Sequence, residues 1–137
     1  RPFFEYTNRG VFVLCLTSNP GAADFQLPDL HLQVAKKVQE WNVSGNAGLV
    51  VGATRYENID AVRKISGQIP FLIPGVGTQG GELKNTLFFA EDGSKIPYLI
   101  NASRSILYAS SGEDFAQQAG TVAKELRDQI NLCRSSL

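Results

Sequence analysis

The chain has 137 residues, 43% of them hydrophobic, and its thirteen Lys+Arg balance thirteen Asp+Glu to a formal net charge of zero. That is enough apolar material for one modest core. No lysine/arginine stripe runs through it, which argues against a nucleic-acid surface, and the pairs Lys36-Lys37 and Arg63-Lys64 are assigned to helix faces. The longest apolar run is too short to cross a bilayer, and the first residues lack the charged-then-apolar plan of a signal peptide.

The chain opens on Arg1-Pro-Phe-Phe4 without a capping signal and contains no methionine. Such a beginning looks like the middle of something longer, so a fragment is expected. The first strand is predicted at Val11–Leu16, a continuous apolar run of the kind found in parallel strands covered on both faces. It contains Cys15, which is expected to be buried; with Cys133 far away and no metal-like spacing, both cysteines are read as free thiols. The strand runs into Leu16-Thr-Ser-Asn-Pro-Gly21. Thr17 and Ser18 offer hydroxyls that could hydrogen-bond a heterocycle, or they only begin the turn that Asn19-Pro20-Gly21 enforces. Asp24 is as easily a turn former as a base.

A helix is predicted over Asp29 to Trp41, with Val34, Ala35, Val38 and Trp41 on one side. His31, the only histidine, falls within it and is expected on the solvated surface. The second strand, Ala47–Gly52, leads to Thr54-Arg-Tyr-Glu57, a capping box for a helix near Tyr56 to Ser66 that buries Ile59, Val62 and Ile65. Thr54 is better explained as that cap than as a ligand contact, and Gly48 and Gly52 as permitting close packing.

The third strand, Pro70–Ile73, ends in Pro74-Gly-Val-Gly-Thr-Gln-Gly-Gly81, with a short helix from Glu82 to about Ala90. Four glycines in eight residues cost chain entropy, so the loop conformation must require them. Backbone N–H groups presented at a strand's carboxyl end suit an anion, and Gln79 is long enough to fold over one. The fourth strand, Pro97–Ile100, continues into Asn101-Ala-Ser-Arg104. A guanidinium there suits bidentate phosphate binding, against the alternative of a surface ion pair. The last helix is expected after a Ser110-Ser-Gly-Glu113 cap, with Phe115, Ala119, Val122, Ala123, Leu126 and Ile130 along one face.

Strand–helix units in series predict a parallel sheet with right-handed crossovers. Two architectures fit: a small doubly wound open sheet, or a contiguous half of a (β/α)8 barrel. Barrel phosphate loops follow the seventh and eighth strands, which would make these four units the last four. No lysine stands at a strand end and no two carboxylates converge there, so the residues can hold an anion but offer no evident proton donor or nucleophile.

The segments Leu14–Gly21 with Asp24-Phe-Gln26, Gly48–Thr54, Ile73–Gly81 and Ile100–Arg104 together resemble the orotidine 5'-phosphate decarboxylase family, in its longer subgroup that includes protozoan enzymes. The resemblance covers essentially the whole chain, in order. It implies α/β architecture, the carboxyl-terminal half of a TIM barrel (strands five to eight with their helices), so residues 1–137 are one half-barrel unit of a longer chain. It implies that Gln79 and Arg104 hold the nucleotide phosphate with the Ser103 backbone as a third donor, a position where many relatives carry glycine. It matches Ser18, with Thr17 beside it, to the hydroxyl that contacts the pyrimidine, and Pro74 to the residue packed on the base where the closing loop begins.

The family's Asp-x-Lys-x-x-Asp motif is not in the chain, so no catalytic residue is expected here. By resemblance its lysine protonates the ring carbanion left when carbon dioxide departs. Catalysis then rests on electrostatics and on phosphate binding coupled to loop closure, with no cofactor and no metal. The expected ligands are orotidine and uridine monophosphates. The expected partners are the amino-terminal half and a second subunit in a cytoplasmic homodimer, with no nucleic acid and no membrane, and the chain alone is expected to be inactive. Two other readings use the same grip: a sugar-phosphate isomerase or epimerase barrel, and a non-catalytic phospholigand-binding domain on an open four-stranded sheet.

Overall fold

A computed structural model describes residues 2–53, 56–76, 80–91 and 97–136. Thr54 of the expected capping box and Gln79 of the expected phosphate grip lie outside the described residues.

Four parallel strands form one sheet: β1 (Val11–Leu16), β2 (Ala47–Val51), β3 (Phe71–Pro74) and β4 (Tyr98–Asn101), in the spatial order β1-β2-β3-β4. Each lies within one residue of the predicted run. The helices are the short α1 (Ala22–Phe25), α2 (Leu30–Trp41), α3 (Tyr56–Ser66), α4 (Gly80–Glu91), the short α5 (Arg104–Leu107) and the long α6 (Phe115–Ser135). A one-turn 3-10 helix at Pro2–Glu5 precedes β1.

Strand order equals chain order, so every right-handed crossover steps in the same direction and lays its helix on the same face. A doubly wound sheet needs a reversal of that order. The arrangement is therefore that of consecutive barrel units, and the open doubly wound alternative is excluded.

Side chains alternate across the strands, and the two faces differ. On the helix-covered face Cys15, Leu49, Val51, Phe71 and Ile73 are buried against Ala35, Val38, Ile59, Val62, Leu83 and Leu87. On the opposite face Phe12, Leu14 and Leu99 remain 40%, 57% and 57% exposed. Gly48 pairs with Phe12 in the β1–β2 register. A Cβ on Gly48 would stand 2.4 Å from the Phe12 ring, so that glycine makes room for the ring, as close packing requires.

Three expectations need correction, and one, for Arg63, is made specific. His31 is buried, not solvated. Its Nδ1–H and its backbone N–H both donate to the Gln26 carbonyl at 3.0 Å, and its own carbonyl accepts from the Cys15 thiol at 3.2 Å. Arg63 is on a helix face, but on the inward one: it is buried, with Nε donating to Ala90 O and Nη1 to Gly67 O and Ile69 O. Ser110–Glu113 does not cap the last helix. The N-cap is Asp114, and Ser110 Oγ instead donates to Asp114 Oδ1 and accepts from the Gly112 N–H. Phe115 is exposed, because the inward stripe of α6 begins only at Ala119 and continues through Val122, Ala123, Leu126 and Ile130, all half-buried.

Candidate functional site

Parallel strands end together, so the residues that follow them converge on one rim of the sheet. Ladder bonds hold the first three ends level. The Gly52 N–H donates to Leu16 O at 2.8 Å, and the Ala53 N–H donates to Pro74 O at 3.1 Å. Pro74 closes the β3–β4 ladder opposite Asn101.

A cleft of about 470 Å³ opens on that rim, lined among others by Ser18 just after β1, Pro74 at the end of β3 with Gly75 after it, Asn101 at the end of β4, and Ser103 and Arg104 at the start of α5. Two glycines let the walls approach. A Cβ at Gly52 would meet the Ser18 backbone nitrogen at 2.7 Å, and one at Gly75 would meet Ser18 Oγ at 3.3 Å. Gly75 also has φ +82°, a left-handed conformation costly for any residue with a side chain. The chain turns there because it is glycine, directly after Pro74.

Ser103 is the N-cap of α5, yet its hydroxyl makes no capping bond to the helix. Its carbonyl accepts from the Ile106 and Leu107 N–H groups at 3.1 and 2.8 Å, which fixes the turn that brings Ser103 to the cleft. Arg104 is exposed, and among the described residues no carboxylate forms an ion pair with it. It is the one ionisable side chain among the described cleft-lining residues. Chemically, the cleft offers the Arg104 guanidinium after β4, the Ser18 hydroxyl after β1 and the apolar Pro74 on the strand between them in the sheet order. It suits an anion joined to a flat apolar body, and among its described lining residues there is no carboxylate, histidine, lysine or thiol to serve as acid or base.

Of the residues singled out from sequence, the structure brings Ser18, Pro74, Ser103 and Arg104 into one cleft. Gln79 lies outside the described residues. Thr17 does not line this cleft. It lines a neighbouring cavity of about 210 Å³ with Leu16, Pro20 and Leu27, and both its N–H and its hydroxyl donate to Gln26 Oε1, at 2.8 and 3.2 Å. From sequence, Gln26 has no assigned role, and Gly75 only the conformational one shared by the four glycines of its loop. No local spacing pairs Gln26 with Thr17 before the loop between them is folded.

Comparisons with known proteins identify the family. A sequence model of the orotidine 5'-phosphate decarboxylase / HUMPS family matches residues 4–119. An orotidine 5'-phosphate decarboxylase of Dehalococcoides mccartyi is 47% identical over 139 residues, covering 95% of this chain and 52% of that protein. One from Azoarcus is 46% identical, covering 97% and 52%. The structure of Leishmania donovani OMP decarboxylase superposes with a TM-score of 0.79 at 39% identity, over 97% of this chain and 51% of that one. Leishmania donovani UMP synthase superposes with a TM-score of 0.78 at 42% identity, over 97% and 30%. The chain thus spans about half the length of the curated relatives it matches. It belongs to the orotidine 5'-phosphate decarboxylase / HUMPS family, and its four strand–helix units are those of the carboxyl-terminal half of the barrel.

Proposed function

We propose that this chain is the nucleotide-holding half of an orotidine 5'-phosphate decarboxylase, which converts orotidine monophosphate to uridine monophosphate in pyrimidine biosynthesis. The observation that carries the reading is the convergence of Ser18, Pro74, Ser103 and Arg104 on one cleft in a chain of this family. Arg104 and the Ser103 N–H, with Gln79, grip the phosphate dianion, for which a guanidinium supplies charge and paired donors. Pro74 packs on the pyrimidine and the Ser18 hydroxyl bonds its edge.

The reacting lysine and the aspartates belong to the amino-terminal half. Phosphate binding at the strand ends of this half holds the ring where those groups can act, so binding at a remote group lowers the barrier at the reacting carbon. The complete enzyme is a cytoplasmic homodimer in this reading. Among the described residues no helix is long and apolar enough to cross a membrane.

The test is decarboxylation of orotidine monophosphate by the purified chain, alone and mixed with the amino-terminal half of a relative. The expected result is no turnover alone and measurable turnover in the mixture. Turnover by the chain alone, or none in a mixture that forms a stoichiometric complex, contradicts the proposal.

A further inference from the structure

We infer that Gln26 is a positioning residue for the base-binding end of the cleft, acting through Thr17 on Ser18; the inference rests on the reading that Ser18 meets the pyrimidine. Thr17 is the first residue beyond β1. The ladder gives its N–H no partner, because β2 ends at Val51 and the next bond to β1 runs from the Gly52 N–H to Leu16 O. Gln26 Oε1 takes that N–H at 2.8 Å and the Thr17 hydroxyl at 3.2 Å. A single carboxamide oxygen thereby closes the loop from β1 through α1.

Gln26 is itself held at both ends of its backbone. It is the C-cap of α1, with its N–H donating to Ala22 O at 2.9 Å. Its carbonyl accepts twice from His31, at 3.0 Å from the backbone N–H and 3.0 Å from Nδ1–H. A carbonyl accepts only from a protonated nitrogen, so Nδ1 carries the proton in this arrangement. His31 is buried in the first turn of α2, which packs on β1 and β2. Tension on the loop is thus carried into a rigid helix.

The Thr17–Ser18 peptide is confined from the other side as well. It lies against Gly52, where a Cβ would come within 2.7 Å of Ser18 N, and the Ser18 hydroxyl lies beside Gly75. Gln26 holds this segment by hydrogen bonds, and the two glycines let it pack close against the neighbouring strand ends. Without the carboxamide the Thr17 N–H loses its partner, and the Thr17–Ser18 segment loses one of the restraints that fix the Ser18 position. Ser103 and Arg104, at the start of α5, make no contact with this loop's hydrogen bonds. The base contact should weaken while the phosphate contact persists.

Calorimetric titration of uridine monophosphate and of ribose 5-phosphate, into the unmodified chain and its variants, tests this. Gln26→Leu is expected to weaken uridine monophosphate about tenfold and ribose 5-phosphate by less than about twofold. Gln26→Glu keeps an oxygen able to accept both Thr17 bonds and should restore uridine monophosphate binding to within about threefold. Unchanged nucleotide affinity in Gln26→Leu, or equal loss of both ligands, overturns the inference and leaves the proposed function standing. If Gln26→Leu does not fold, Thr17→Val, which removes only the hydroxyl bond, should still weaken the nucleotide about threefold and spare ribose 5-phosphate; equal binding overturns the inference. An unmodified chain that binds ribose 5-phosphate but not the nucleotide overturns the base-site reading itself, and this inference with it.

Discussion

The Arg63 guanidinium carbon lies 3.5 Å from the centroid of the Phe71 ring, inside the core. A buried cation is tolerated when hydrogen bonds and an aromatic face together offset the loss of its hydration. Arg63 donates to Ala90 O at the end of α4 and to Gly67 O and Ile69 O in the turn before β3. It ties two helix ends to the amino-terminal rim of the sheet, opposite the cleft. Arg63→Met would fill much of the volume yet leave three carbonyls without this partner. The expected loss is about 3 kcal/mol in urea unfolding, with the slope unchanged. A loss below about 1 kcal/mol would show that the cation contributes little.

At the opposite rim, Gly52 and Gly75 are predicted to be the least replaceable positions. A Cβ at Gly52 meets the Ser18 and Thr17 backbone at 2.7 and 3.0 Å, and backbone yields less than a flexible side chain would. Gly52→Ala should cost about 1–3 kcal/mol and weaken uridine monophosphate. Gly75→Ala should cost about 1–2 kcal/mol because of its φ of +82°. Thermal unfolding with and without nucleotide measures both effects.

The Cys15 thiol is pushed up to about 12 by burial, from an ordinary 9.0. The folded protein therefore keeps the thiol proton where the unfolded chain loses it, and from pH 9.0 toward 12 this site lowers stability as pH rises. Below pH 9.0 it contributes no pH dependence. At pH 8 an alkylating reagent should modify Cys133, which is half-buried, and reach Cys15 only after unfolding. Rapid modification of both in the folded protein would contradict the burial.

Phe12, Leu14 and Leu99 share the uncovered face of the sheet, and among the described residues β1 and β4 each have one unpaired edge. Exposed apolar faces and open edges drive association. The isolated chain should sediment as more than a 14.9 kDa monomer, and Leu14→Lys with Leu99→Lys should shift it toward monomer. A concentration-independent monomer before substitution would contradict this.

The strands were legible because buried parallel strands are continuous apolar runs, and each observed strand lies within one residue of its predicted run. The convergence of Ser18, Pro74, Ser103 and Arg104 on one cleft was legible too, since barrel topology brings strand ends together. His31 was misread because its polarity was taken as exposure, and the inward direction of Arg63 went unassigned. Their spacing told otherwise. His31, Ala35 and Val38 form one inward stripe, and Ile59, Val62, Arg63 and Ser66 another, so periodicity outranked residue type at both positions. The Thr17–Gln26 bond was not legible, because it depends on how α1 turns the loop back onto its own strand.

The central claim is that the cleft holds a nucleotide by its phosphate, and the most direct measurement compares uridine monophosphate with uridine. In calorimetric titrations of the unmodified chain, the nucleotide should bind about a hundredfold more tightly than the nucleoside, and Arg104→Ala should erase most of that difference. Equal affinities for the two ligands, or a preference for the phosphate that survives Arg104→Ala intact, would contradict the account.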